Sequence, residues 1–279
     1  MRLSIAGLRW DLAWRGAADA DRVATRFGAY VTPDDGAAPD ASLDVTVDPA
    51  WHPSAPVQNR FPGMDFERDA DGAFVFRRAD AEVVVDLGAH RARAVVRPTH
   101  APEDPLEDLT ALDTPLRLQV ASELPGRGGA MVHACGYADD RGAVLFVARS
   151  GGGKTTTARK LPAAHVLSDD LVAVRRVDGV WRAWSLPFVG EWRRPTVPRS
   201  APLRAVVFLR KAAEVSVTPC PRAAAFADAL QAMVWFARGD AHAAALVDTS
   251  HALVSAVPCV TLALPREAPV LPLLDMWLR

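Results

Sequence analysis

The sequence predicts an α/β protein in two parts: a small α+β module over residues 1–105, then a mixed-sheet domain with a glycine-rich loop over residues 106–279. Three observations carry this reading. Residues 145–158, LFVARSGGGKTTTA, run from an apolar strand through a glycine-rich bend into the start of a helix. Between residues 42 and 97, short strand-like segments follow one another, separated by turn residues. From residue 130 strands dominate, with helices at the glycine loop and over 222–237 and 240–257.

The elements follow in order. Residues 3–14 read as a strand or hairpin arm. Residues 19–30 open on acids and place Val23 and Phe27 four apart, which suits a short helix. Residues 42–48, SLDVTVD, alternate strictly, so Leu43, Val45 and Val47 share one face of a half-buried strand. A Pro-rich stretch runs from Pro49 to Pro62. Strands over 73–78, 81–87 and 91–97 read as an antiparallel meander, with turns at Ala79–Asp80 and Gly88–His90. Residues 98–108 read as the linker. A helix is expected over 113–124, with Asp113 or Thr114 as its cap and a proline in its first turn. Strands follow over 130–137 and 142–148, then the glycine loop and its helix. Next come a short strand ending at Asp169–Asp170 and a strand pair on either side of Asp178–Gly179. Residues 203–210 read as a buried strand. Phe226, Leu230, Met233 and Val234 lie in helical register, and 259–264 is a last strand.

Composition sets limits. Of 279 residues, half are hydrophobic, enough for one substantial core and a smaller second one. The 32 basic and 33 acidic residues nearly cancel, so a nucleic-acid partner held by electrostatics is not expected. Cys135, Cys220 and Cys259 are odd in number and far apart, which fits a reducing compartment better than a disulfide framework. No run of about 18 apolar residues suggests a membrane span, and the first residues carry charges through their apolar stretch. A soluble, cytoplasmic protein is expected, with no membrane or nucleic-acid partner.

The glycine loop carries the clearest chemistry. Gly151, Gly152 and Gly153 lack a Cβ, so their backbone can curl with N–H groups inward and approach an anion closely. The helix opening at Lys154 adds the positive end of its dipole. Lys154 can reach β- and γ-phosphates, and the Thr155 hydroxyl can ligate Mg²⁺. Ala148 stands where the motif G-x-x-x-x-G-K-[ST] has its first glycine.

Asp169 lies fifteen positions after Lys154. That gap holds a short helix, a turn and a strand, so HVLSDD should end at the same sheet edge as the loop, where open α/β sheets bind ligands. At a fraying strand end, Asp169 and Asp170 can both turn to one site, one holding Mg²⁺ and the other accepting a proton. His133 lies on the preceding strand and can approach the γ-phosphate if that strand pairs with 142–148. Glu191 and Arg193 sit in a loop whose Pro, Gly and Trp neighbours suggest order.

The order His133, A-R-S-G-G-G-K-T-T, S-D-D, G-E-W-R and P-L-R-A-V-V-F-L resembles the catalytic domain of the HPr kinase/phosphorylase family. It looks closer to the HPr-kinase-related proteins found beside bacterial peptide-modification genes, and more distantly like the phosphate loop of ATP-dependent phosphoenolpyruvate carboxykinase. The similarity covers about residues 125–279; the first hundred residues do not resemble the usual N-terminal domain of that family. The resemblance implies a P-loop kinase domain that uses ATP and Mg²⁺. Ser150, Gly151, Gly152, Gly153, Lys154, Thr155 and Thr156 would hold the nucleotide, and Thr155, Asp170 and Glu191 the metal. Asp169 would be the base, Lys154 would bind the β- and γ-phosphates, and His133 and Arg193 would help neutralise the phosphoryl group in flight. Thr156 stands where HPr kinases carry an acid, which argues against the reverse, phosphorylase activity and against HPr as substrate.

The leading expectation is an ATP/Mg-dependent kinase acting on a Ser/Thr hydroxyl of a small protein or peptide. The alternatives are a kinase of a free hydroxy amino acid with the same fold, or a nucleotide-binding regulatory protein without an acceptor. The resemblance also implies a homo-oligomer of unfixed number.

Overall fold

The computed structural model describes residues 1–16, 20–53, 65–69, 71–97, 110–235 and 240–278. Most of the Pro-rich stretch and the whole 98–108 linker lie outside the described residues. The chain is mixed α/β with mixed sheets, and it divides into two compact units. One is Met1–Glu123 with Trp235–His242, the other Leu124–Val234 with Ala243–Arg279.

In the first unit β1 (Arg2–Ile5) and β2 (Leu8–Gly16) form a hairpin through Ala6–Gly7. Helix α1 (Ala20–Phe27) buries Val23 and Phe27, the pair that predicted it. Strands β3 (Ala41–Val47), β4 (Asp65–Arg68), β5 (Phe74–Arg78), β6 (Ala81–Asp86) and β7 (Arg91–Val96) complete a seven-stranded sheet ordered β1-β2-β3-β7-β6-β5-β4. The meander is present in β5–β6–β7. Local patterning did not reveal that β2, β3 and β7 run parallel, because that pairing joins segments tens of residues apart.

Helix α2 (Thr110–Glu123) packs on β3, β6 and β7. The first unit therefore runs to Glu123, not to 105, because this helix buries Leu112, Leu116 and Val120 within that unit. The helix also starts before Asp113, so Pro115 lies inside it and Asp113 is not its cap. Asp113 instead bonds Arg26 (Nη2–Oδ2 2.6 Å), at 6% and 8% exposure respectively. Burial raises the Asp113 pKa, and the adjacent Arg26 guanidinium opposes that rise.

In the second unit β8 (Gly129–Asp139) is the organising strand. It pairs antiparallel with β9 (Gly142–Val147) on one edge. On the other it pairs with β10 (Val166–Ser168) and then β11 (Leu171–Val177). Helix α3 (Lys154–Arg159) follows β9. Strand β12 (Val180–Ser185) joins β11 to the start of β13 (Ser200–Lys211), which then runs parallel to β9. The pairings thus close a circuit, β8–β11–β12–β13–β9–β8, around a core that includes Val132, Leu145, Val172, Ala183 and Val206. Strand β14 (Ser216–Pro219) and β15 (Cys259–Leu264) extend the sheet, with β15 parallel to β13.

Helix α4 (Arg222–Ala232) stops five residues short of the expected end. Met233 turns extended and Val234 N–H donates to the Met131 carbonyl at 2.8 Å, so pairing with β8 replaces the last helical turn. Helix α5 (Asp240–Ala256) buries Leu246 and Leu253 in the same core.

Breaking a buried pair leaves an uncompensated charge, at a cost of about 3–5 kcal/mol. Asp113→Ala should lower the protection of the β3 and β7 amides to hydrogen exchange by that amount. Arg26→Met with Asp113→Leu should restore most of it. A double variant as weakened as the single one would contradict the reading.

Candidate active site

The carboxyl end of β9 leads into the glycine loop at the mouth of a cavity of about 520 Å³. Gly151 and Gly153 have φ of 69° and 104°, the left-handed region that side chains disfavour. Gly152 answers a different need. A Cβ there would lie 2.6 Å from the Ala148 Cβ and 2.8 Å from the Arg149 carbonyl oxygen. Its N–H closes a turn onto that same carbonyl at 2.9 Å. Ala148 has no positive φ and packs in the core with Phe146 and Ala158, so the motif's missing first glycine is accommodated. Lys154 Nζ donates to the Ala148 carbonyl at 3.0 Å, which folds the ammonium back over the loop.

The acid pair occupies a break between β10 and β11. Both strands pair with the same edge of β8, and the Ala134 N–H donates to the Asp170 carbonyl at 3.0 Å across the break. Ser168 makes the break. Its Oγ accepts the N–H groups of Asp170 and Leu171, each at 3.1 Å, so the backbone turns instead of continuing the ladder. Ala134, at that level of β8, faces Val147, the last residue of β9. The two acids and the glycine loop therefore reach the same sheet edge with β8 between them.

Asp169 is 5% exposed, yet it lines the cavity. Its Oδ2 accepts the Trp192 N–H at 2.9 Å. Burial raises its pKa above the usual carboxylate range, more than offsetting the Trp192 amide and the Thr155 hydroxyl that lower it; the Asp170 charge adds to the rise. Gly190 packs against this carboxylate: a Cβ there would meet Asp169 Oδ1 at 2.1 Å and the Asp170 Cβ at 2.9 Å. The loop is fixed from several sides. Trp192 packs on the core beside β9, with the Arg194 guanidinium 4.9 Å from its ring centroid. At the base, Ser185 Oγ donates to the Val197 carbonyl at 2.6 Å.

Glu191 lines the cavity, and its Oε2 accepts the Thr155 hydroxyl at 3.0 Å. His133 lines it too, with Nδ1 3.3 Å from Asp170 Oδ1. The loop residues Ser150 to Thr156 also face the cavity, so it brings together every expected site residue except Arg193. Arg193 is exposed, with φ of 52°, and is not among the lining residues; its N–H closes a turn onto the Gly190 carbonyl at 3.0 Å. Arg210, Asp228 and Gln231 line the cavity and were missed in the sequence. Arg210 ion-pairs with Asp228 on α4. Its position at the carboxyl end of a buried parallel strand was the available signal.

Cys135 lies beneath the site. Its burial, with the Asp169 charge adding to the effect, raises the thiol's pKa strongly, and Lys154 opposes this. A thiol so disfavoured as thiolate is not a nucleophile at neutral pH.

The donor chemistry fits Mg²⁺ in part. With Arg210 and Asp228 paired to each other, the other charged groups lining the cavity are Asp169, Asp170 and Glu191 against Lys154 and Arg149. A polyphosphate entering there needs further positive charge. The Thr155 hydroxyl and the two carboxylates Asp170 and Glu191 are hard oxygen donors. Among the described residues no three His, Cys, Asp or Glu side chains group as a metal cage. The remaining oxygens would therefore come from phosphate and water, as is usual for Mg²⁺.

The family model of ScmC, a SynChlorMet cassette protein, matches residues 112–264. The chain belongs to the ScmC family. The match spans the glycine loop, the acid pair and the Gly190–Arg193 turn, and it ends with β15. No curated protein matches the chain. Among the described residues no helix is long and apolar enough to cross a membrane.

Overpacking a filled position costs about 1–3 kcal/mol. Gly190→Ala should lower the unfolding free energy of the second unit in urea by that amount, moving the midpoint down, and displace Asp169. An unchanged midpoint would show that the 190–193 loop does not press on the carboxylate.

Proposed function

We propose that the second unit is a P-loop kinase domain of the HPr kinase/phosphoenolpyruvate carboxykinase type. It transfers the γ-phosphoryl group of ATP, with Mg²⁺, to a Ser or Thr hydroxyl of a small protein or peptide. One observation carries the reading: the glycine loop, Lys154 and the buried carboxylate of Asp169 converge on a single cavity. A protein that only binds nucleotide has no need of a buried carboxylate of raised basicity beside its phosphate loop.

In this reading Lys154 Nζ leaves the Ala148 carbonyl for phosphate oxygens. Thr155, Asp170 and Glu191 would hold Mg²⁺, which would supply charge to neutralise the phosphates. Asp169 accepts the proton of the acceptor hydroxyl. The acceptor oxygen bonds to the γ-phosphorus as that atom's bond to the β–γ bridging oxygen breaks, and ADP departs with the electron pair. His133 lines the cavity and would stabilise the charge on the transferring group.

Lys154→Ala should abolish transfer and weaken ATP binding. Asp169→Asn should lower the rate about 10²–10⁴-fold, the usual worth of a positioned base, while leaving ATP affinity nearly unchanged. Labelling of acceptor candidates with γ-labelled ATP checks both. An Asp169→Asn protein with normal turnover would reject the assigned base.

The pH dependence has a definite sign. Asp169 acts only when ionised, so the acid limb of the rate profile should fall at a pH above the ordinary carboxylate range. Its folded pKa lies above its unfolded one. Its stabilising contribution is therefore present below the unfolded pKa and is lost as pH rises through the folded value. At neutral pH the ionised carboxylate costs stability, so Asp169→Asn should melt no lower than the wild type. A lower Tm would contradict the burial argument.

A further inference from the structure

A second cleft, of about 340 Å³, shares Gly151, Gly152, Gly153, Thr156 and Arg210 with the first cavity. Beyond these it takes in the carboxyl ends of β13 and β15, which run parallel to one another, as β13 does to β9. Ligands of open α/β sheets bind at such ends. The chemistry of the two spaces differs. His133, Asp169, Asp170 and Glu191 line the first, whereas no acidic residue lines the second. The second offers apolar surface from Leu209, Leu264 and Pro265, with Lys211 and Arg266 beside it. Its far wall is pinned. Lys160, at the end of α3, donates to the carbonyls of Arg266 and, at 2.7 Å, Ala268. The turn after β15 is thus tied to the phosphate-loop helix.

An acceptor hydroxyl has to reach Asp169 and gains nothing from this cleft. A donor that rests its phosphates on the glycine loop can span both spaces. We propose that the nucleoside half of the donor, a purine base with its ribose, lies in this cleft against Leu209, Leu264 and Pro265. Arg210 stands at the junction, where the α-phosphate passes from one space to the other. The assignment rests on the phosphate-loop reading above.

Two measurements test it. Photolysis of wild-type protein with 8-azido-ATP should label residues 209–212 or 264–266. Label on α4, at 228–232, would place the base on the opposite wall and overturn the assignment. Ala212 is exposed at the cleft, and Ala212→Trp should fill it. That variant should bind ATP at least about tenfold more weakly, with tripolyphosphate affinity kept within about twofold. Unchanged ATP affinity, or an equal loss for both ligands, overturns the cleft assignment and leaves the phosphate loop standing. Wild-type protein that binds neither ligand overturns both.

Discussion

The Asp169 carboxylate is where the second unit's separate pieces meet. It is buried, it accepts the Trp192 amide, and it packs against the bare Cα of Gly190. That contact joins the 186–199 loop to the break between β10 and β11. Through Thr155, which bonds Glu191 of the same loop, it also joins the start of α3. The same contact sets the position of the acid pair relative to the 186–199 loop. Burial of a carboxylate is normally a cost, and here it raises the group's basicity, which the proposed kinase reading would use to take a proton.

The sheet makes this meeting possible. Strand β8 pairs with β9 on one side and with β10 and β11 on the other, so the glycine loop and the acid pair emerge at one level, separated by a single strand. Ser168 supplies the local device. By capturing two amides it breaks the ladder after β10 and turns adjacent acids toward one space, which a regular strand cannot do. The closed circuit of pairings around the core holds β8 from both edges, and that rigidity is what positions the site.

Much of this was legible in the sequence because it is local. The glycine triplet, Lys154 and the preceding apolar strand lie within fourteen residues, and the alternation of 42–48 marks its buried face directly. The acid pair could be placed because the short gap after Lys154 allows few paths. What was not legible depends on contacts distant in sequence. Asp113 reads as a helix cap, but its partner Arg26 lies 87 residues away and draws it into the interior. The end of α4 is decided by Met131, about a hundred residues upstream. The parallel run of β2, β3 and β7 has no signature in any one segment. Arg193 reads as a site residue from its place in G-E-W-R, but the turn at Gly190 leaves it outside the cavity wall while Glu191 lies within it. Arg210 was passed over as the charged end of a buried strand, although a charge at the carboxyl end of a parallel strand is itself a signal.

The central claim is that Lys154 and Asp169 face one triphosphate. The most direct test is a crystal structure with Mg²⁺ and a non-hydrolysable ATP analogue. The account predicts Lys154 Nζ and the loop amides within hydrogen-bond distance of the β- and γ-phosphates. It also predicts a clear path from the γ-phosphorus to an Asp169 oxygen, with room between them for one hydroxyl. A triphosphate bound elsewhere, or seated on the loop with Asp169 shut away behind Trp192, would contradict it.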